Sequence, residues 1–352
     1  MTKVWIEYLR VIAVLAVILI HTTSGKFYEF GTLPAGEWWF NNILNSISRF
    51  SVPIFVMITG CLLLGKSISP IDFYKKRYTR IIPPLIFWSI LYFILHLVTL
   101  QIESKRAFFA IEDIAVNSKI LVLQFIQEGN AHYHLWYLTM LLWLMMFVPY
   151  INILINRQKL AFKDLYLLII VLCFFMLLNQ FFSISRVVFD LHFRWFNSFP
   201  FFSVYLITGY FINKYHSVIG LSNRYAFILL LITLFLSIFL NYFFASSLNV
   251  ISDYLILSNT GVINYFITTL IFYIFCKNKH IFKENLIIAS ISSASFGIYL
   301  VHPIYLSFFK KVIPQFVDTS NIAQLIIAFA TFLLSYISIN MIKRVRLFNK
   351  IC

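Results

Sequence analysis

Two side chains able to do chemistry, Arg10 and His21, lie eleven residues apart in one apolar segment, Trp5 to Thr23. Eleven residues of an α-helix rotate by about 1100°, close to three whole turns, so both side chains share one face. They are then about 16 Å apart along the axis, roughly half the thickness of a bilayer core. An imidazole can take a proton from a hydroxyl near neutral pH, and a guanidinium can bind an anion or stabilise an oxyanion. The pair therefore predicts a group-transfer site that runs through the membrane.

The composition indicates which elements must position this pair. The 352 residues are 61% hydrophobic and 12% charged, with a mean hydropathy of +0.86. Soluble domains carry about 25% charged residues. Neither a guanidinium nor an imidazole belongs in hydrocarbon, so each must face a protein interior or a wet cavity. We expect an all-α, polytopic membrane protein with one domain over residues 1–352 and no separate soluble domain.

Long apolar runs predict about ten membrane-spanning helices, and the positive residues predict their orientation. Of 28 lysines and arginines, 18 lie at the two termini and in the loops after the second, fourth, sixth and eighth spans, and eight lie in the other loops. Both termini are therefore predicted to be cytoplasmic, with Arg10 in the inner half of its span and His21 near the outer end. The predicted spans are 5–23, 44–64, 81–100, 134–154, 165–183, 199–213, 225–245, 260–276, 286–308 and 321–341.

Charge and cysteine usage exclude two other classes of function. The net charge of +15 is distributed in short clusters between apolar segments, without a basic arm or tail, so we expect no nucleic-acid partner. Four cysteines, Cys61, Cys173, Cys276 and Cys352, have neither CxxC nor zinc-ligand spacing. A disulfide framework or a metal site is therefore not expected.

The remaining candidate side chains form an outer set and an inner set in the predicted topology. Inner arginines suit phosphates, because a guanidinium makes bidentate contacts to them. Coenzyme A joins a phosphate-rich nucleotide to a long, thin arm that ends in a thioester, so the two sets together permit acyl transfer across the membrane. The outer set is Arg49, His134, Trp136, Tyr299 and His302, and the inner set is Arg77 and Arg80.

Five short motifs follow one another along the chain. They are EYLRVIAVLAVILIHTT around Arg10 and His21, NSISRFSVPIFVMITGCLL at 45–63, KKRYTRIIPP with Arg77 and Arg80, HYHLWYL at 132–138, and SFGIYLVHP at 295–303. Together they resemble the acyltransferase-3 family of integral-membrane O-acyltransferases. The IHTT, NSISRFSVP and HLW runs resemble most closely the enterobacterial common antigen O-acetyltransferase type, and the polysaccharide-intercellular-adhesin acyltransferases are a second near relative.

The resemblance implies transfer of an acetyl or other short acyl group from cytoplasmic acyl-CoA to a hydroxyl of a cell-surface or lipid-linked glycan at the outer face. It implies a multi-pass protein of the bacterial cytoplasmic (inner) membrane, in contact with lipid, with homo-oligomerisation left open and no metal. His21 is then the general base or a transient acyl carrier. The implied roles are catalysis for His21, Arg10 and His134, acceptor contact for Arg49, Trp136, Tyr299 and His302, and acyl-CoA binding for Arg10, Arg77 and Arg80.

Simpler interpretations remain open at this point. Arg10 can extend to the cytoplasmic interface and pair with Glu7, and Arg77 with Arg80 can obey the positive-inside rule without a ligand. Trp136 fits an interfacial aromatic belt, and His132 reads as a loop residue. At the level of function, the rivals are a glycan or lipid-linked sugar transporter or flippase and a non-catalytic scaffold.

Overall fold

The computed structural model describes residues 3–104, 119, 132–157, 160–189, 201–248, 256–313 and 320–345. These residues form eleven α-helices and no β-strand, so the all-α class is confirmed. The helices are α1 (Val4–Phe27), α2 (Ala35–Ser48), α3 (Ser51–Leu63), α4 (Pro70–Ser104), α5 (Trp136–Arg157), α6 (Phe162–Phe189), α7 (Phe202–Ile219), α8 (Asn223–Leu248), α9 (Val262–Lys277), α10 (Leu286–Val312) and α11 (Asn321–Arg344).

The helices confirm a multi-pass membrane protein. In the part of the chain that the structure describes, eight stretches are long and apolar enough to span a bilayer, and one of them joins α2 and α3. α9 is apolar but shorter, and α7 coincides with the predicted sixth span, whose residues 199 and 200 lie outside the described ranges. The predicted orientation stays a prediction, and several of the loop charges behind it, such as Lys105, Arg106 and Arg194, also lie outside the described residues.

The chain divides into two compact units, Met1–Ser67 with Ile151–Asn340, and Ile68–Tyr150 with Met341–Cys352. The first unit contains α1–α3, α6–α10 and most of α11. The second contains α4 and most of α5. The prediction of one domain over residues 1–352, without a separate soluble domain, stays a prediction.

Two glycines set the close approach of α3 and α7 in the first unit. A Cβ built on Gly60 would lie 1.8 Å from the carbonyl oxygen of Leu206, and one built on Gly209 would lie 2.1 Å from that of Met57. Neither position has room for a side chain without separating the two backbones. Small residues of this kind allow membrane helices to pack closely where lipid provides no hydrophobic force between them.

The second predicted span is divided into α2 and α3 at Arg49 and Phe50. Pro53 has no N–H, so the Arg49 carbonyl cannot receive the usual bond from four residues later. The Asn264 side chain of α9 donates its Nδ2–H to that carbonyl oxygen at 3.2 Å. The hydropathy pattern predicts one apolar span here. Pro53 instead accompanies a break between two helices, and the Asn264 side chain supplies the donor that the Arg49 carbonyl lacks.

α2 is polar on its buried face and apolar on its exposed face. Ile43 and Ile47 are 38% and 42% exposed, as expected of a helix whose outer side meets lipid. Its buried polar residues are Asn41, Asn42, Asn45, Ser46 and Ser48. One group of bonds ties it to α8, where Asn241 Nδ2 donates to Asn42 Oδ1 and Ser46 Oγ, both at 3.1 Å. The interior of the first unit is therefore hydrogen-bonded rather than purely apolar along α2.

The second unit packs α4 against α5. The Tyr74 hydroxyl of α4 donates to the Met146 carbonyl of α5 at 2.8 Å. Trp88 and Leu138 are among its most deeply buried side chains. This packing supports the turn before α5, where His132 and His134 lie.

Candidate functional site

His21 of α1 and His302 of α10 stack on one another in the first unit. Their ring centroids are 5.3 Å apart and their planes differ by 23°. His302 is fully buried and His21 is half-buried. The sequence predicts only that both residues lie toward the outer side of the membrane, whereas the structure pairs their imidazoles from helices more than 250 residues apart in the chain.

A proline determines which nitrogen of His302 carries the proton. Pro303 has no N–H for the Tyr299 carbonyl, which a helix would otherwise bond from that position. The Nδ1 atom of His302 lies 2.7 Å from this carbonyl oxygen. A carbonyl oxygen only accepts, so Nδ1 must carry the hydrogen, and in the neutral ring the lone pair is on Nε2.

Tyr299 thus contacts His302 through its backbone. Its side chain is buried, and its ring centroid lies 5.9 Å from that of His302. The phenol ring therefore lies beside the imidazole. Its predicted role as an acceptor contact stays a prediction.

Arg49 is buried in a hydrogen-bond network that reaches the turn of α1 directly after His21. Its Nε–H donates to Asn45 Oδ1 at 2.9 Å. The Asn45 Nδ2 group donates in turn to Thr23 Oγ1 at 3.0 Å and to Ser24 Oγ at 3.3 Å. The network places a buried cation beside the helical segment that carries the stacked histidine.

Arg10 lies on the same uninterrupted helix as His21, α1, and is half-buried. Continuity of α1 over Val4–Phe27 preserves the shared face and the separation of about 16 Å that the spacing predicts. At the far end of α1, Lys26 is 7% exposed and forms an ion pair with Glu37 of α2 at 2.9 Å. This ion pair joins α1 to α2 one and a half turns beyond His21.

The two arginines of the inner set lie one turn apart on α4, in the second unit. The guanidinium of Arg77 is half-buried, with its Cζ 5.8 Å from the centroid of the Phe73 ring. Arg80 is exposed. A cation over an aromatic ring is oriented before any ligand arrives, whereas an exposed arginine costs little to redirect.

His134, also in the second unit, is paired with His132. Their Nδ1 atoms are 2.8 Å apart, and His134 is 1% exposed. The sequence predicts only a loop residue at His132 and does not predict this contact. The one signal in the sequence is the spacing of two histidines around one tyrosine, which by itself does not show that the rings turn toward each other.

Trp136 is the first residue of α5 and is half-buried, with its ring centroid 6.4 Å from that of Tyr137. The structure thus brings His21, His302 and Tyr299 together and links Arg49 to the same helix. Arg77, Arg80, His134 and Trp136 belong to the second unit. Among the described residues, no three His, Cys, Asp or Glu side chains are grouped as a metal site.

Comparison with known proteins gives one match. The model of a family described as an acyltransferase domain, the acyltransferase-3 family, matches residues 3–340. No curated protein and no solved structure gave a match. The matched range includes every described helix except the last residues of α11.

Proposed function

Since this chain belongs to the acyltransferase-3 family and is a multi-pass membrane acyltransferase, we propose that it is an O-acetyltransferase acting on a glycan. It moves an acetyl or other short acyl group from cytoplasmic acyl-CoA to a hydroxyl of a cell-surface or lipid-linked sugar at the outer face. The observation that carries this proposal is the stacked pair of His21 and His302. The pair supplies a proton-accepting group at the end of the helix that also carries Arg10.

In the proposed reaction, His21 is the general base. Its neutral imidazole takes the proton of the acceptor hydroxyl while that oxygen attacks the thioester carbonyl. The new C–O bond forms, the C–S bond breaks, and the proton passes from the imidazolium to the coenzyme A thiolate. His302 supports this step by packing its ring against that of His21, with its own orientation fixed by the Nδ1–H bond to the Tyr299 carbonyl.

Four arginines are proposed to supply positive charge for the same reaction. Arg10 is proposed to bind the acyl donor along α1. Arg49 is proposed to stabilise the oxyanion or to orient the acceptor, supported by its burial and its link through Asn45 to the turn after His21. Arg77 and Arg80 are proposed to bind the phosphates of acyl-CoA, since they lie one helical turn apart and one is pre-oriented by Phe73.

The finer assignments of acceptor and cell compartment are proposals too. The likeness to the enterobacterial common antigen O-acetyltransferases stays a prediction, because no curated protein gave a match. A bacterial inner membrane is the compartment in which cytoplasmic acyl-CoA and an outward-facing glycan meet across one bilayer. His134, Trp136 and Tyr299 remain proposed contacts of the acceptor or orienting groups for the reaction.

Mass spectrometry of surface polysaccharide tests the proposal, in cells that carry the wild-type chain, His21→Ala or no copy. We expect acylated sugar only with the wild type, and comparable membrane levels of both proteins. His280→Ala is a matched control, because His280 is exposed in the turn after α9. Acylation that is unchanged in His21→Ala would contradict the catalytic role.

The transporter alternative predicts a different result. A flippase moves its substrate across the bilayer unmodified and without acyl-CoA. Purified protein in vesicles, given a lipid-linked sugar with and without acetyl-CoA, separates the two functions. Translocation that does not depend on acetyl-CoA, with no acylated product, would favour transport. A version of the mechanism in which His21 carries the acyl group predicts labelled protein after a pulse of radiolabelled acetyl-CoA without acceptor.

A further inference from the structure

In the first unit, α2 and α11 meet through amide side chains that the proposed mechanism does not use. Asn41 of α2 is fully buried, and its Nδ2 atom lies 3.5 Å from Oδ1 of Asn321, the first residue of α11. Gln324 comes three residues later on α11, so it is a neighbour of Asn321 on one helical face, and it is 2% exposed. In the predicted orientation this meeting point is near the outer surface. Asn41, Asn321 and Gln324 are called the amide cluster below.

Two amide oxygens of this cluster are buried and have no hydrogen-bond partner among the residues that the structure describes. The Asn41 amide has a fixed orientation, because its Nδ2–H donates to the Glu37 carbonyl at 2.8 Å and an amide oxygen cannot donate. Its Oδ1 atom is left without a donor, and so is Oε1 of Gln324. Burying an acceptor without a donor costs free energy. A molecule that brings hydroxyl groups to this point supplies the donors that both oxygens need.

Packing of α11 does not account for an amide at position 324. The nearby Ala323 and Ile327 of the same helix are buried and apolar, and Ile327 packs against Leu306 of α10. An apolar side chain of similar volume at position 324 would be buried there without an unpaired polar atom. Such a replacement is often neutral or stabilising. The Gln324 amide therefore suits a ligand better than it suits the fold.

The amide cluster lies one helical turn from the network beside His21. Asn41 and Asn45 are four residues apart on α2, so they are neighbours on one face and about 6 Å apart along the axis. The Asn45 side chain donates to Thr23 and Ser24, in the turn of α1 directly after His21. One helical turn is comparable with the size of one sugar ring. A glycan that presents a hydroxyl to His21 can therefore extend to the amide cluster with a neighbouring part of its chain.

We propose that the amide cluster is a saccharide subsite, in which Asn41 Oδ1 and Gln324 Oε1 accept hydrogen bonds from hydroxyls of the glycan acceptor. The three amides are uncharged, which suits neutral hydroxyls better than an ionic head group. The adjacent charges, Lys26 and Glu37, form an ion pair with each other at 2.9 Å. This inference rests on the proposed function and adds to it the residues that hold the acceptor beside the transfer centre.

Transfer kinetics of Gln324→Met test the subsite, because methionine keeps the length of the side chain and removes the amide. Purified protein in vesicles receives acetyl-CoA and the unacylated surface polysaccharide of cells that lack this chain. We expect KM for the polysaccharide to rise by roughly 5- to 10-fold, the effect of one lost hydrogen bond, with KM for acetyl-CoA unchanged. Asn41→Leu should raise the same KM from the side of α2. An unchanged KM for the polysaccharide in Gln324→Met would overturn the proposal.

Thermal unfolding separates a ligand site from a structural role. Gln324→Met should be at least as stable as the wild type, because it removes a buried atom that has no partner. Gln180→Met of α6 is the matched control: Gln180 Oε1 accepts from the Val262 N–H at 2.9 Å, so this variant should lose stability and keep its KM. A loss of stability in Gln324→Met with an unchanged KM would show that the amide has a structural partner, such as a buried water, and would overturn the subsite.

Binding without turnover distinguishes failure of this inference from failure of the proposed function. Oligosaccharides released from the same unacylated polysaccharide should raise the unfolding midpoint of His21→Ala, because they bind the folded protein. The rise should be smaller when Gln324→Met is added. If the wild type transfers no acyl group but the rise still depends on Gln324, the proposed function fails and the subsite stands. If the wild type transfers acyl groups and neither the rise nor KM depends on Gln324, the subsite fails and the proposed function stands.

Discussion

The pair of His21 and His302 in the first unit and the pair of His132 and His134 in the second each bring two imidazoles together, but they control their protons differently. In the first pair the rings stack, and a backbone carbonyl freed by Pro303 fixes the hydrogen of His302. In the second pair the hydrogen lies between the two rings. In the first pair, a backbone carbonyl therefore fixes which nitrogen of His302 carries the hydrogen. In the second pair, the position of the hydrogen on each ring depends on the other ring.

The two histidine pairs should therefore respond differently to a change of pH and to substitution. The Tyr299 carbonyl is an acceptor at every pH, so the Nδ1 of His302 keeps its hydrogen whether the ring is neutral or charged. The bond of the second pair survives only while one Nδ1 is bare, and it is lost when both rings are charged. We expect substitutions at the first pair to change rate steeply, and those at the second to change pH dependence.

Among substitutions of the residues around His21, His302→Phe should have the largest effect on the rate of acyl transfer. Phenylalanine keeps a planar ring against His21 but cannot take part in proton transfer or bond to the Tyr299 carbonyl. We expect acyl transfer to fall by about 10²-fold or more, in the range of lost acid–base groups. The measurement is acetyl transfer by purified protein, and His302→Asn, whose amide can still donate to the carbonyl, should retain more activity. Equal losses in both variants would argue against a role for the Nδ1–H bond.

Arg49→Lys tests whether the network beside the first pair depends on the guanidinium. Lysine keeps the charge but has no Nε–H at the position that donates to Asn45. The free energy of unfolding should fall by about 1–3 kcal/mol, the range for breaking a buried hydrogen bond to a charged group. Thermal unfolding in detergent measures this, with the exposed Arg80→Lys as control. An unchanged midpoint of thermal unfolding would show that the Arg49–Asn45 hydrogen bond contributes little to stability.

Pro303→Ala should lower the rate of acyl transfer without lowering the thermal stability. The new N–H can bond the Tyr299 carbonyl and compete with His302 Nδ1–H for it. A backbone hydrogen bond contributes about 1 kcal/mol net, so we expect a rate loss of roughly fivefold with unchanged or increased thermal stability. Steady-state kinetics and unfolding of the same preparation check both parts. A variant that loses stability and keeps full activity would contradict the assigned role of Pro303.

The effect expected to bear least on the rate of acyl transfer is a pH dependence of stability from His132. In the folded protein burial, and then the charge of nearby His96, lower its pKa to about 4, whereas in the unfolded chain histidine titrates near 6.5. Between these values only the unfolded chain binds the proton, so the free energy of unfolding is complete above about pH 6.5 and decreases as pH falls toward 4. As pH falls from 7 to 4, the unfolding midpoint of the wild type should therefore decrease relative to that of His132→Phe. Parallel curves of midpoint against pH would contradict a lowered pKa of the half-buried His132.

Much of this architecture could be predicted from the sequence. Hydropathy located the apolar helices, and the spacing of Arg10 and His21 placed them on one helix. The pattern could not show that His21 meets His302, because a window of hydropathy measures composition and not which helices are neighbours. The family resemblance placed both residues in motifs but gave no distance between them.

Local backbone chemistry accounts for what the sequence interpretation missed. The division of the second span depends on Pro53 and on Asn264, which lies over 200 residues away and bonds the freed carbonyl. The pairing of His132 depends on the turn before α5 and on the ring of Tyr92, which stacks on that of His132 with centroids 4.2 Å apart. Both features arise from a polar group that must find a partner inside the fold, and only the tertiary structure shows which partner it finds.

The central claim is tested most directly by comparing wild type and His21→Asn in single-turnover acetyl transfer. Purified protein in vesicles receives radiolabelled acetyl-CoA, and the acylated glycan is isolated as the product. If the His21–His302 pair is the acyl-transfer centre, His21→Asn should bind acetyl-CoA normally and transfer it at least about 10²-fold more slowly. Transfer by His21→Asn at a rate close to that of the wild type would contradict the account.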